Sequence, residues 1–158
     1  MIWTDPLPYF PRNELECRGT RELDEEGEQI PGTGVILLDG RFAALLPALR
    51  QRWGGPLSPT SVCRTPAHNI AEKGHPRSLH LTKNPVHPTN GCMAADLYWR
   101  TWNPAKKLEF CRMAFRSGWS IGLNATFVHI DLRELIGLNR GVFEYSNWDH
   151  QFNKEDIY

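Results

Sequence analysis

A long irregular segment divides the sequence and most limits the fold that the chain can adopt. Residues 65–95 contain four prolines and two glycines, so no long helix or strand can run through them. Irregular segments of this length in a compact domain usually either carry function or are disordered, and the histidine content favours function here. Four of the six histidines lie in it: His68, His75, His80 and His87.

Helices are predicted on both sides of this segment. Apolar residues at spacings of three and four predict an amphipathic helix over residues 35–53, which Pro47 either kinks or begins near its first turn. Asn103 followed by a proline is typical of a helix start, and this second helix is predicted to run to about Ser117.

Strands are predicted for four short segments with strand-like patterns or hairpin spacing. They cover residues 57–64, 94–98, 119–123 and 126–133. With the helices, this order is typical of an α+β fold with a small antiparallel sheet and helices packed on one face. The length of 158 residues predicts a single domain.

The composition limits the classes of molecule that the chain is expected to bind. The chain has 18 basic and 18 acidic residues, so its net charge does not indicate a nucleic-acid partner. Residues 41–83 contain seven Lys or Arg and one acid, which suits an anionic ligand.

The longest early aliphatic run, residues 35–38, is far too short to cross a bilayer, and the N-terminus lacks a signal-peptide pattern. The four cysteines are predicted to be free thiols.

Three potential metal ligands are His80, in the irregular segment, and Asp96 and His129, which lie on predicted strands. Two imidazoles and one carboxylate leave one position of a tetrahedral zinc ion open, as in catalytic zinc sites. A water molecule at that position has its pKa lowered toward neutrality and can attack an amide carbonyl. The spacing of the three residues does not by itself distinguish a metal site from polar residues that cap strands.

Several short motifs occur in an order that resembles one known family. They lie at residues 14–17, 57–66, 78–81, 94–97 and 127–133, together with Asn69 and Gly122. This combination resembles the M15 family of zinc peptidases, the D-alanyl-D-alanine carboxypeptidase and phage endolysin group that shares its core with the Hedgehog signalling domain. The resemblance spans roughly residues 10–135 and leaves a C-terminal tail at 136–158.

The resemblance implies a zinc-dependent metallopeptidase that hydrolyses an amide bond in peptidoglycan stem peptides, as a D,D-carboxypeptidase or as an endopeptidase of the endolysin type. It implies that His80, Asp96 and His129 are the zinc ligands. Arg64 matches an arginine beside the substrate, where it binds a carboxylate or the carbonyl that becomes an oxyanion. Ser78 matches a serine that hydrogen-bonds the substrate backbone. The alternatives are a surface ion pair for Arg64 and a turn residue for Ser78.

The spacing of the first two implied ligands departs from the family pattern. Fifteen residues separate His80 from Asp96, whereas most members have six, so residues 82–92 form an apparent insertion. Surface insertions cost little free energy, and the ligands can still converge. His75 or His87 is the alternative ligand.

The proton-transfer group also departs from the pattern. Many relatives have a glutamate shortly before the last histidine, but residues 122–126 contain no acid. Asp131 shares a strand face with His129, because side chains alternate along a strand, and it is the nearest carboxylate for proton transfer. Its alternative role is to orient His129 through the other ring nitrogen.

The missing glutamate and the insertion keep a second function open, a non-catalytic zinc-binding structural or binding module of a phage particle. For the enzyme, we expect a monomer that binds a peptidoglycan peptide, with no nucleic acid and no membrane insertion. We expect synthesis in the cytoplasm and action on the cell wall after holin-type release or as part of a virion.

Overall fold

The computed structural model describes residues 1–158 and has an α+β fold with two sheets. Its strands are β1 (Ile2–Trp3), β2 (Leu38–Asp39), β3 (Pro59–Ser61), β4 (Ala94–Tyr98), β5 (Ser120–Leu123), β6 (Phe127–Asp131) and β7 (Val142–Glu144). Its α-helices are α1 (Arg12–Leu15), α2 (Gly40–Trp53), α3 (Pro66–Ala71) and α4 (Pro104–Arg116). Short 3-10 helices cover Arg18–Thr20, Arg133–Ile136 and Lys154–Ile157.

The larger sheet has five strands in the order β3-β4-β6-β5-β7, while β1 pairs with β2. Every pair among β3, β4, β6 and β5 is antiparallel, as the sequence predicted. The edge strand β7 is the exception, because it runs parallel to β5. A 3-10 helix and a loop between β6 and β7 carry the chain back to the start of β5, which permits this direction.

The two faces of the sheet have different character. Side chains alternate along each strand, so Leu97 and Val128, which pair across β4 and β6, lie on one face. Ile121 and Ile130 pair across β5 and β6, and all four belong to a core cluster of 32 buried residues. The buried side chains of α2 and α4 join the same cluster. The opposite face of the sheet is therefore left for polar groups.

Helix α2 begins at Gly40, five residues later than the predicted start of residue 35. The side chain of Asp39 accepts a hydrogen bond from the backbone N–H of Arg41 at 3.0 Å and so caps the helix. Leu38 pairs instead with Trp3 of the N-terminal strand. Pro47 lies inside the helix. None of the helices has both the length and the apolar character needed to cross a membrane.

Helix α3 lies inside the segment predicted to be irregular. Thr65 caps it by accepting a hydrogen bond from the backbone N–H of His68 at 3.3 Å, and Pro66 occupies its first turn. This is the same signature that correctly predicted α4 from Asn103, whose side chain accepts from the N–H of Lys106 at 2.8 Å. The remainder of the segment forms turns around His80.

Candidate metal centre

The sheet register brings Asp96 and His129 together. Asp96 of β4 pairs directly with His129 of β6, so both side chains lie on the polar face. The Nδ1 atom of His129 is 2.9 Å from Oδ1 of Asp96. Both side chains are buried, with 8 % of His129 and 6 % of Asp96 exposed, so the pair is largely shielded from solvent.

His80 reaches the same point from the loop beside the sheet. Its backbone carbonyl accepts a hydrogen bond from the N–H of Arg64 at 2.8 Å, which holds the loop against the chain after β3. The Nδ1 atom of His80 lies 2.8 Å from the carbonyl oxygen of Val62, so this nitrogen carries the proton and donates it. Nε2 is then directed at Asp96, with 3.1 Å to its Oδ1 atom.

The resulting cluster has the donor set of a catalytic zinc site. One ligand atom from each of His80, Asp96 and His129 lies within 4.8 Å of the others, and all three residues are buried. Each histidine turns one nitrogen toward the cluster and fixes the other by a hydrogen bond, as metal-binding histidines do. Two imidazole nitrogens and a carboxylate oxygen fit Zn²⁺ and leave a position for water or substrate.

Asp131 lies on the far side of the His129 ring. Its Oδ2 atom is 2.8 Å from Nε2 of His129 and 2.6 Å from Nη2 of Arg133. Its Oδ1 atom accepts hydrogen bonds from Nε of Arg133 at 2.9 Å and from the backbone N–H of Arg133 at 3.1 Å. Both oxygens are engaged away from Asp96, and the residue is 0 % exposed. These contacts orient the ring of His129, which is the alternative role of Asp131, and its proton-transfer role stays a prediction.

Electrostatics in the metal-free protein hold a proton on His129. Burial lowers the pKa of this histidine, but hydrogen bonds to Asp131 and Asp96 outweigh burial and raise it to about 9. Burial raises the pKa of Asp96, but the charges and hydrogen bonds of His80 and His129 bring it well below its usual range. The pKa of Asp131 is lowered in the same way, chiefly by Arg133 and His129. A metal ion must therefore compete with a proton at His129.

Arg64 and Ser78 contact the cluster in different ways, Arg64 through the side chain of Asp96 and Ser78 through the backbone of His80. The Nη2 atom of Arg64 is 3.3 Å from Oδ2 of Asp96, and its Nε atom donates to Oγ of Ser61 at 3.0 Å. Its side chain is 16 % exposed, so it is anchored at Asp96 while part of it faces solvent. The Oγ atom of Ser78 accepts a hydrogen bond from the backbone N–H of His80 at 3.2 Å, which is the turn role considered as its alternative.

The family comparison covers all of these residues. Residues 8–131 match the sequence profile of the family described as Peptidase M15. The chain belongs to this family. Separate searches of curated proteins and of solved structures gave no match. The matched range includes every candidate site residue from Arg64 to Asp131 and ends before Arg133 and β7.

The M15 peptidase has a cavity of about 720 Å³ over the cluster. Arg64, Ser78, His80, Asp96, His129 and Asp131 all line it. His75 and His87 line its wall as well, but neither contributes an atom to the metal-ligand cluster. His80 thus joins Asp96 and His129 in the candidate metal cluster despite the insertion that follows it.

Part of the cavity comes from residues that the sequence pattern did not single out. Phe143 of β7 and Tyr145, just after it, line the side of the cavity formed by β7. Phe143 and Tyr145 are two residues apart, a strand spacing that places both on one face, but the tail has too few such repeats to predict a strand. Burial, followed by the charge of Asp96, raises the pKa of Tyr145, so its phenol stays neutral.

Proposed function

We propose that this M15 peptidase is a zinc-dependent hydrolase of an amide bond in peptidoglycan stem peptides, acting as a D,D-carboxypeptidase or as an endopeptidase of the endolysin type. The observation that carries the proposal is the buried cluster of His80, Asp96 and His129 beneath an open cavity. A zinc ion held by these residues would polarise the amide carbonyl and lower the pKa of a water molecule.

The protein's own groups support this chemistry by position. Val62 and Asp131 fix the two histidine rings, so the metal-facing nitrogens do not have to reorganise on binding. Arg64 lies next to Asp96 and faces the cavity, where its guanidinium can bind a developing oxyanion or a substrate carboxylate. The neutral phenol of Tyr145 is a second hydrogen-bond donor on the side of the cavity formed by β7.

Proton transfer requires a group with a free face in the cavity. Asp131 borders the cavity, but both of its oxygens already accept hydrogen bonds from His129 and Arg133. His75 and His87 line the cavity, and an imidazole nitrogen can accept a proton and pass it on, as a general base does. We assign the proton shuttle to one of these two histidines.

The charge of the cavity supports a peptide substrate that carries carboxylates, as stem peptides do. Lys73 and Arg77 line the loop side, and no ion pair within the chain engages either side chain. A volume of about 720 Å³ suits a ligand of a few residues. In this proposal the monomer reaches the wall after release from the cytoplasm or as part of a virion, and nucleic acid is not a partner.

A non-catalytic zinc-binding module of a phage particle is the second candidate. The observation in its favour is that Asp131, the carboxylate expected to transfer the proton, is fully engaged by His129 and Arg133. This candidate predicts zinc binding without turnover.

Turbidity and amine release on purified peptidoglycan test the proposal. The samples are the intact protein, chelated protein with and without restored zinc, and His129→Ala, with the exposed His150→Ala as matched control. We expect release that zinc restores, that His129→Ala abolishes and that His150→Ala retains, while mass spectrometry of the products identifies the bond. Binding of one zinc ion without release from several wall types would favour the non-catalytic module.

A further inference from the structure

Two cysteines lie in contact inside the core. The Sγ atoms of Cys63 and Cys92 are 3.2 Å apart, and the residues are 2 % and 0 % exposed. Cys63 immediately precedes Arg64, and Cys92 lies just before β4, which carries Asp96. The pair therefore joins the two segments that frame one side of the metal centre.

Backbone contacts impose this approach. The carbonyl oxygen of Leu37 accepts a hydrogen bond from the N–H of Cys92 at 2.9 Å and lies 3.6 Å from Sγ of Cys63. The carbonyl oxygen of Cys92 accepts from the N–H of Asp39 at 3.0 Å, and the N–H of Cys63 donates to Leu15 at 3.3 Å. Backbone hydrogen bonds thus fix the positions of both cysteines. The contact between their sulfur atoms does not depend on side-chain rotation alone.

The other two cysteines have no such neighbour. The Sγ atom of Cys17 contacts Thr65, with 3.7 Å to its Oγ1 atom, and Cys111 is buried on α4. Neither has a sulfur partner, whereas the Sγ atoms of Cys63 and Cys92 are already 3.2 Å apart, compared with about 2.05 Å in a disulfide bond.

We propose that Cys63 and Cys92 are a modification site that forms an intramolecular disulfide when the protein meets a small-molecule disulfide oxidant. The thiolate of one cysteine attacks the oxidant, R–S–S–R, and releases one RS⁻ group as a mixed disulfide forms. The second cysteine then attacks the first cysteine's sulfur and releases the second RS⁻ group. Two protein thiols are oxidised, the oxidant is reduced to two thiols, and the protons pass to solvent or to the released groups.

The bond would close a loop over residues 63–92. This loop contains α3, His80 and the cavity wall with His75 and His87. Cross-linking its ends restricts the unfolded chain and ties the loop to the strand that carries Asp96. Because burial raises the pKa of the Cys92 thiol, the reaction in the native protein should be slow and should proceed through local opening.

Oxidation of the intact, metal-free protein tests this inference without reference to peptidase activity. The protein is incubated with excess oxidised glutathione, free thiols are counted under denaturing conditions, and peptides are mapped without reduction. We expect the count to fall from four to two, with one linked pair of peptides containing Cys63 and Cys92 and a mass loss of two hydrogens. Tm should rise by at least about 5 °C and return on reduction.

Matched variants separate this pair from general oxidation. Cys111→Ala removes a buried lone thiol and should still form the bond, whereas Cys63→Ala should lose both the linked peptides and the rise in Tm. The mapping of the unmodified protein decides the question even where a variant fails to fold. Four free thiols after prolonged incubation, or linked peptides that contain Cys17 or Cys111 in place of this pair, would overturn the proposal.

Discussion

The Nε2 atom of His129 lies 2.8 Å from Oδ2 of Asp131, on the side of the ring away from Asp96. Asp131 therefore contacts the candidate metal centre through the ring of His129. Replacement by Asn keeps the shape but removes the charge and weakens the contacts with Arg133. For Asp131→Asn we expect zinc affinity to fall by about 10- to 100-fold, as measured by competition with a chromophoric chelator.

The control for this prediction is Glu134→Gln, which removes an exposed carboxylate nearby and should leave zinc affinity unchanged. If Asp131→Asn instead binds zinc normally while kcat collapses at saturating zinc, Asp131 is the proton shuttle and its assignment as a positioning residue is wrong.

Arg64 provides a second prediction, because its forked guanidinium joins Ser61 to Asp96. Arg64→Lys keeps the positive charge but cannot make both contacts. We expect kcat/KM on a stem peptide to fall by roughly 10²-fold while one zinc ion still binds. Arg52→Lys on the exposed surface of α2 is the matched control. An unchanged kcat/KM for Arg64→Lys would remove Arg64 from the active site.

Gly122 lies beside His129 in the sheet, and its lack of a side chain makes room for β7. A Cβ atom there would lie 2.5 Å from Cζ of Phe143 and 3.0 Å from Cβ of His129. Gly122→Ala should lower the free energy of unfolding by about 1–3 kcal/mol and weaken zinc binding. Gly141→Ala is the matched control, since a Cβ atom there meets nothing within 4 Å. Urea unfolding and zinc titration should separate the two variants, and equal behaviour would contradict the packing argument.

The metal-free protein should lose stability as pH rises from neutral. The pKa of His129 is raised from 6.5 to about 9, so its contribution is complete below pH 6.5 and is lost as pH rises through 9. Asp96 and Asp131 have pKa values lowered from 3.8, so their contribution is present above that value and is lost as pH falls. Stability should therefore be greatest between about pH 4 and 6.5.

Urea unfolding of chelated protein at pH 6 and pH 9 measures the basic side of this profile. We expect the free energy of unfolding to be lower at pH 9 by an amount of order 1–3 kcal/mol. Zinc should reduce the difference, because the metal takes the place of the proton on His129. A metal-free protein equally stable at both pH values would show that His129 is not held protonated.

Local patterns predicted much of the fold, and the family resemblance named all three residues of the candidate metal cluster, His80, Asp96 and His129. The strand over residues 94–98 and the helix that starts after Asn103 depend on side-chain alternation and on a cap, which are short-range properties. Residues 126–133 contain β6, and alternation along it correctly placed His129 and Asp131 on one face. The Thr65-Pro66 signature of a helix start was also present for α3. Because prolines and glycines follow it closely, the sequence pattern did not predict so short a helix.

Tertiary contacts decided the start of α2, the pairing of β7 and the orientation of the His129 ring, because they join residues that no local pattern connects. Pairing of Leu38 with Trp3 delays the start of α2, and β7 gains its parallel partner only when the chain returns beside β5. Orientation of the His129 ring, and with it the role of Asp131, depends on contacts with Asp96 and Arg133. The sequence by itself therefore determined which groups can bind a metal, and the tertiary structure decided which atom of each faces the centre, since that depends on hydrogen bonds made across the fold.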